Sequence, residues 1–399
     1  MMNLSEKMVA LGKKRSCIRE IFEYSKKRKA EIGEDGVFDF SIGNPSVPAP
    51  AKVTEAMRAL LERDPVALHG YTSAQGDLGV RSRIAEDLKK HYQAEVDPEL
   101  IYMTCGAAAS LTISLTAITE EEDEIIVFAP FFPEYRVFIE KAGAKLVVIP
   151  GKAPDFQPDL TALERAITPH TKAVLINSPN NPTGAIIPAK TLSALGVLLA
   201  KKSEEFGRVI YLISDEPYRE LVWTQEPLPF VTHYYDHVLV CYSYSKAVSL
   251  PGERIGYILL SPKAENAQDL YAAVCGAGRA LGFVCAPSLL QFTVGECVDA
   301  VSDFSVYRTN RALLLEELTR IGYEVIPPDG AFYLFLKALE PDANAFCERA
   351  KKQELLLVPG DDFGGEGYVR IAYCVSTEQI QKSIPAFERL YQDYEDQKI

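Results

Sequence analysis

The stretch YSYSKAVSLPGERIGY, Tyr242 to Tyr257, holds one lysine, Lys246, among hydroxyls, with Arg254 further on among glycine, proline and isoleucine. A primary amine is a nucleophile that condenses with a carbonyl to a Schiff base. A lysine after an apolar run is ordinarily a surface charge, and what distinguishes this one is its company. Asp215 and Tyr218 stand in SDEPY, Asn181 in NNPTG, and Ser243 and Ser245 beside the lysine itself. A phosphorylated aromatic aldehyde would use the whole set. The amine forms the Schiff base, and a carboxylate holds a pyridine nitrogen protonated so that the ring becomes an electron sink. Asn and Tyr hydrogen-bond a phenolic oxygen, and Ser hydroxyls with an Arg fork suit a phosphate dianion.

Such a set works only if a scaffold gathers it. The apolar runs EIIVFAP (124–130), KLVVIP (145–150), KAVLINSP (172–179), VIYLISDEPY (209–218) and HVLVCYSYS (237–245) predict strands buried on both faces. Between them lie helix-period segments such as LTALERAI (160–167) and AKTLSALGVLLAKKSEEFG (189–207), the second ended by Gly207. Strands alternating with helices give βαβ units and a mostly parallel sheet, which binds ligands at the carboxyl ends of its strands. Asn181, Asp215, Tyr218, Ser243, Ser245 and Lys246 are thereby expected at one edge. Past about residue 290 the pattern changes. A long helical stretch, SLLQFTVGECVDAVSDFSVYRTNRALLLEELTRIG, precedes the strands GAFYLFLKA and GYVRIAYC and the helices DANAFCERAKKQE and TEQIQKSIPAFERLYQDYE. The expected fold class is α/β: a mostly parallel sheet flanked by helices in a large domain over 46–290, and a smaller α+β domain made of 1–45 plus 291–399.

The 399 residues exceed one typical core, and 47% apolar with 24% charged residues is ordinary for a globular protein. A net charge of -13 argues against nucleic acid or an anionic membrane as partner. The eight cysteines are scattered without a C-x-x-C, as expected of free thiols in a reducing cytoplasm. The N-terminus lacks an apolar signal core, and its cluster Lys26, Lys27, Arg28, Lys29 is expected as a solvated helix face. No apolar run reaches the ~20 residues of a membrane span, and no metal site is expected.

Over nearly its whole length the chain resembles the fold-type I pyridoxal-phosphate aminotransferases of class I and II, the aspartate aminotransferase-like group. The resemblance lies in an ordered series of motifs. SYSKAVSLPGERIGY is similar to the family's lysine signature, which makes Lys246 the aldimine lysine and Ser243, Ser245 and Arg254 the phosphate ligands. SDEPY implies Asp215 at the pyridine nitrogen and Tyr218 at the phenolic oxygen, where Asn181 of NNPTG is the second partner. TCGAAASL resembles a strand-less turn into a helix whose amides receive the phosphate, here Gly106, Ala107 and Ala108. PFFPEY places Phe132 against the cofactor ring. GYTSAQGDLG implies that Tyr71 reaches the partner subunit's phosphate in a homodimer with shared sites. SIGNPSVPAP puts Gly43, and GYVRIAYC puts Arg370, at the substrate α-carboxylate. Arg279, in AAVCGAGRALGFVCAP, matches more loosely an arginine that reads a distal carboxylate across the dimer; an ion pair within the chain or a dimer-interface contact is the other reading.

The implied activity is transfer of an amino group from an L-amino acid to a 2-oxo acid, with pyridoxal 5'-phosphate on Lys246 and Lys246 moving the substrate Cα proton. The same scaffold supports C–S β-elimination and decarboxylation, which cofactor motifs do not separate. Ser243-Tyr244-Ser245-Lys246 is also an S-x-x-K, but the accompanying S-D-N and K-T-G motifs of serine β-lactamases are incomplete. A regulator with an aminotransferase-like module would carry a basic DNA-binding domain, and nothing here is basic enough to be one.

Overall fold

In this computed structural model, which describes residues 4–13 and 17–396, the first strand, β1 (Phe38–Asp39), is short. The alternating region forms one seven-stranded sheet. Its strands are β2 (Ile101–Thr104), β3 (Glu124–Phe128), β4 (Lys145–Ile149), β5 (Thr171–Asn177), β6 (Tyr211–Asp215), β7 (Val238–Ser243) and β8 (Gly256–Leu260), in the order β2-β8-β7-β6-β5-β3-β4. All neighbours are parallel except that β8 runs antiparallel to both β7 and β2. Period-two alternation explains the unbroken apolar runs. Ile126, Val174, Leu212 and Val240 enter one core, while Ile125, Leu175, Ile213 and Leu239 enter another on the opposite face. The helices return between strands as the periodicity requires. Gly207 ends Ala189–Phe206 with φ 63, and Asp159 caps Leu160–Ala166 by accepting from Thr161 and Ala162.

Strands β2 and β8 are additions to the sequence reading. A strand therefore does lead into the turn at Gly106: β2 is only four residues long, between a 3-10 turn at Pro98–Leu100 and Cys105, too short to show a period.

The described residues divide into two compact units. One comprises Pro45–Phe304 with Asp329–Ala331, the other Met1–Asn44, Ser305–Pro328 and Phe332–Ile399. The boundary expected at 290/291 falls instead after Phe304. The stretch read as one long helix is two, Ser288–Glu296 and Ser305–Ile321, and the first belongs to the sheet unit, with Val294 in its core and Gly295 against Val80. In the other unit β9 (Tyr333–Lys337), β10 (Leu355–Leu356), β11 (Val358–Pro359) and β12 (Tyr368–Ala372) accompany β1. There β1 pairs with β10, beside the helix Thr377–Glu395, and β11-β12-β9 form an antiparallel sheet.

The basic cluster near the N-terminus is partly ion-paired rather than simply solvated, since Arg28 meets Glu354 at 2.5 Å and Glu31 at 3.0 Å. All eight cysteines are free thiols. Among the described residues no helix is long and apolar enough to cross a membrane.

Candidate active site

Asp215 is the last residue of β6, at the carboxyl edge of the sheet, and is 5% exposed. Its Oδ2 accepts a 2.5 Å hydrogen bond from the Tyr135 hydroxyl, while its Oδ1 is buried with no hydrogen-bond partner among the described residues. Burial pushes the carboxyl up to about 7; the Tyr135 hydroxyl pulls it down and the charge of Glu216 adds to the rise. The sequence reading has this carboxylate ionised beside a pyridinium, and the protein's own groups alone leave it short of that. A cationic N–H donor at Oδ1 would restore the ionised form.

Asn177, the last residue of β5, ties the neighbouring loop to this aspartate. Its Nδ2 donates to the Asp215 carbonyl at 2.8 Å, and its Oδ1 accepts from the Asn181 amide at 2.7 Å. The turn is closed by Thr183, whose N–H and hydroxyl donate to Asn180 Oδ1 at 3.1 and 2.9 Å. Asn181 and Tyr218 are both buried at this edge. Phe132, half-buried, stands edge-on to Tyr135 with ring centroids 5.6 Å apart at 84°.

One strand over, Ser243 ends β7 and caps the one-turn helix Tyr244–Ala247 that carries half-buried Lys246. Ser243 Oγ accepts from the Ser245 amide at 3.2 Å and lies 2.7 Å from Ser245 Oγ. Arg254 Nη1 donates to Ser245 Oγ at 3.4 Å and to the Pro251 carbonyl at 2.9 Å. Gly106, with φ 85, faces the same guanidinium: a Cβ there would lie 2.8 Å from Arg254 Nη2. No side chain caps the helix Ala107–Ile118, so the first-turn N–H groups of Ala107 and Ala108 remain available to an anion beside that arginine. The structure thus brings Gly106, Ala107, Ser243, Ser245, Arg254 and Lys246 together at the end of β7. Asp215, Asn181 and Tyr218 lie at the adjoining ends of β5 and β6, Phe132 follows β3 and meets the group through Tyr135, and the Glu216 amide bonds to the Cys241 carbonyl of β7 at 2.9 Å.

In the other unit Arg370 lies in β12, 2% exposed. Its Nη2 donates to the Ser41 carbonyl at 2.5 Å, and its guanidinium lies 4.7 Å from the Tyr333 ring and 5.1 Å from the Phe363 ring. Gly43 is close to Arg370's neighbour Tyr333, whose hydroxyl occupies the space a Cβ would need. Tyr71 and Arg279 are outside both groups. Tyr71 is 98% exposed, and Arg279 is exposed near the end of the helix Ala267–Ala280 with no ion pair among the described residues.

Sequence reasoning missed Tyr135 and Asn177, which orient Asp215 and the Asn181 loop. Tyr135 stands one helical turn from Phe132 in PFFPEY, and that spacing was the signal for it; Asn177, at a strand end, carried none.

The family model for aminotransferase class I and II matches residues 35–387. The chain is 32% identical over 379 residues to an aspartate aminotransferase of Thermotoga maritima, covering 93% of this chain and 96% of that one. An amino transferase structure from Eubacterium rectale superposes with a TM-score of 0.97 at 55% identity, covering 99% of this chain and 100% of that one. The aspartate aminotransferase of Thermus thermophilus with maleate gives a TM-score of 0.85 at 29% identity, over 98% of this chain and 100% of that one. These relatives favour amino-group transfer over elimination or decarboxylation. With the fold and the strand-edge site in agreement, the chain belongs to the class I and II aminotransferases, pyridoxal-phosphate-dependent enzymes of fold type I.

Proposed function

We propose that the protein binds pyridoxal 5'-phosphate at the ends of β5, β6 and β7 and uses it to exchange the amino group of an L-amino acid with a 2-oxo acid. The observation that carries this is the Asp215 carboxylate, buried and bonded through Oδ2 to Tyr135, with Oδ1 left for a donor. A pyridinium N–H is the donor that fits. Bound there, the cofactor supplies a reactive aldehyde carbon and an electron-accepting ring. Asp215 holds the ring nitrogen protonated. Asn181 and Tyr218 donate to the phenolic oxygen, and Phe132 covers the ring. Ser243, Ser245, Arg254 and the amides of Gly106, Ala107 and Ala108 bind the phosphate. Lys246 would hold the aldehyde carbon of the cofactor and would move the proton at the substrate Cα. Arg370 takes the α-carboxylate beside Gly43, with its guanidinium already oriented by Ser41 and by two aromatic rings.

The protein works as a cytoplasmic homodimer in this reading, with Tyr71 completing the partner's phosphate site. Its 98% exposure supports a role outside its own fold. The aspartate aminotransferases among the relatives, and an exposed Arg279 with no ion pair among the described residues, favour a dicarboxylic substrate read by Arg279 across the dimer.

The test is a panel of amino acids with 2-oxoglutarate and pyruvate as acceptors. Aspartate or glutamate turnover with formation of the matching amino acid is expected, and pyruvate and ammonia released without an acceptor would instead mean a lyase. Lys246→Ala loses both turnover and the visible absorbance of the bound cofactor; wild-type behaviour in that variant overturns the assignment. Arg279→Ala lowers kcat/KM for dicarboxylic substrates by roughly tenfold to a hundredfold while sparing alanine.

A further inference from the structure

Between the helix Ser305–Ile321 and β9, the residues Asp329–Ala331 belong to the sheet unit although the chain on either side of them does not. They form a strap between the two turns that carry Asn181 and Tyr218. On one side the Gly330 N–H donates to the Gly184 carbonyl at 2.8 Å, and Gly184 closes the Asn181 turn by donating to the Asn180 carbonyl at 2.9 Å. On the other side the Ala331 N–H donates to the Leu221 carbonyl at 2.9 Å, and Leu221 closes the Tyr218 turn by donating to the Tyr218 carbonyl at 2.9 Å. Trp223, the only tryptophan of the chain, grips the strap twice. Its backbone N–H donates to the Asp329 carbonyl and its indole N–H to the Ala331 carbonyl, both at 2.8 Å. The fit leaves no slack. A Cβ on Gly330 would stand 2.7 Å from both the Leu221 carbonyl oxygen and the Pro179 side chain. Ala331, fully buried, holds φ 56, a left-handed conformation that is unfavourable for a residue with a side chain. Backbone held this way persists only where its surroundings over-determine it.

We propose that Asp329–Ala331, clamped by Trp223, is a positioning element that sets the separation of Asn181 and Tyr218, so that both side chains converge on one oxygen atom. The proposal rests on the reading above, in which these two residues donate to the phenolic oxygen of the cofactor. Asn177 already ties the Asn181 amide to the Asp215 carbonyl at the strand ends. The strap adds a second tie further along both turns, at Gly184 and Leu221. Two ties hold a pair of turns against rotation as well as drift. Two donors aimed at one acceptor need both, because a hydrogen bond weakens steeply with misalignment. Trp223 and Gly330 are positioning residues in this account and need not touch the cofactor.

The test is a pH titration of the visible absorbance of the holoenzyme. Donors to an ionised oxygen favour the form with fewer protons, so misplacing them moves the transition to higher pH. Trp223→Phe, which keeps an aromatic ring and removes the indole N–H, should raise the transition by about 0.5 pH unit or more, and Gly330→Ala should move it the same way. Asn181→Ala and Tyr218→Phe, which remove the donors outright, should each raise it by about one unit. In the Asn181→Ala, Tyr218→Phe double variant no donor is left to misplace, and adding Trp223→Phe should produce no further shift. An unmoved transition in Trp223→Phe, or the same shift with both donors gone, overturns the strap and leaves the cofactor reading in place. An unmoved transition in both Asn181→Ala and Tyr218→Phe instead strikes the reading of the two donors, and the strap with it.

Discussion

Tyr135 and Asp215 set the electrostatics of the site between them. With the folded carboxyl pushed up to about 7 from 3.8, the folded chain keeps a proton that the unfolded chain releases between those values. Stability of the cofactor-free protein therefore falls as pH rises from about 4 to 7 and levels off above, by roughly 4 kcal/mol in all. Asp215→Asn removes this dependence. Melting curves across that range should show the variant gaining on the wild type as pH rises, and parallel curves would mean that Asp215 is not the group responsible. Tyr135→Phe takes away the one donor that holds Oδ2, an interaction worth about 1.5–3 kcal/mol for a charged acceptor. It should weaken cofactor binding by about tenfold or more and move the acid limb of the kcat/KM profile upward by about one pH unit. Restoration of neither by Tyr135→His, and no shift in either quantity for Tyr135→Phe, would make the contact incidental.

At the scale of elements, the glycine at the start of β8 is a tight joint within the site. A Cβ on Gly256 would collide with the Tyr242 carbonyl and come 3.1 Å from the Gly106 Cα, which packs the phosphate turn against the lysine strand. Gly256→Ala should cost about 1–3 kcal/mol, visible as a lower Tm, and should loosen cofactor binding in the same variant. Unchanged cofactor affinity in a destabilised variant would detach the joint from the phosphate site. Strands β3 to β7 were legible in the sequence because burial on both faces writes itself as continuous apolar runs, and the chemical residues at their ends came with them. What was not legible came from packing. Nothing local marks β2 as a strand, nothing in the helical stretch after residue 287 announces the break at 297–304, and Asn177 acts through a contact with a loop rather than through a motif.

Taken as a whole molecule, the chain exposes Tyr71 almost completely, which a shared-site dimer would turn to use. Two inactive variants test this. In Tyr71→Ala the lysine is intact, and in Lys246→Ala the tyrosine is intact, so a mixed dimer holds one complete site. Co-expression should return roughly a quarter of wild-type activity if subunits assort freely in a two-fold dimer. Activity no greater than the sum of the separate variants would place Tyr71 outside the partner's site.

The reversal of β8 has a consequence for how the site comes into being. Because β7 and β8 are antiparallel neighbours, Lys246 and Arg254 sit in a single hairpin connection, whereas Asn181 and Asp215 flank the crossover from β5 to β6, which runs through the whole helix Ala189–Phe206. A short loop closes at low entropic cost, so the anchoring amine and the phosphate-binding arginine acquire their register from neighbours in sequence. In native-state hydrogen exchange, the amides of Val238–Ser243 and Gly256–Leu260 should therefore open as one cooperative unit, and a ligand held by both ends of that hairpin should slow exchange along the two strands together.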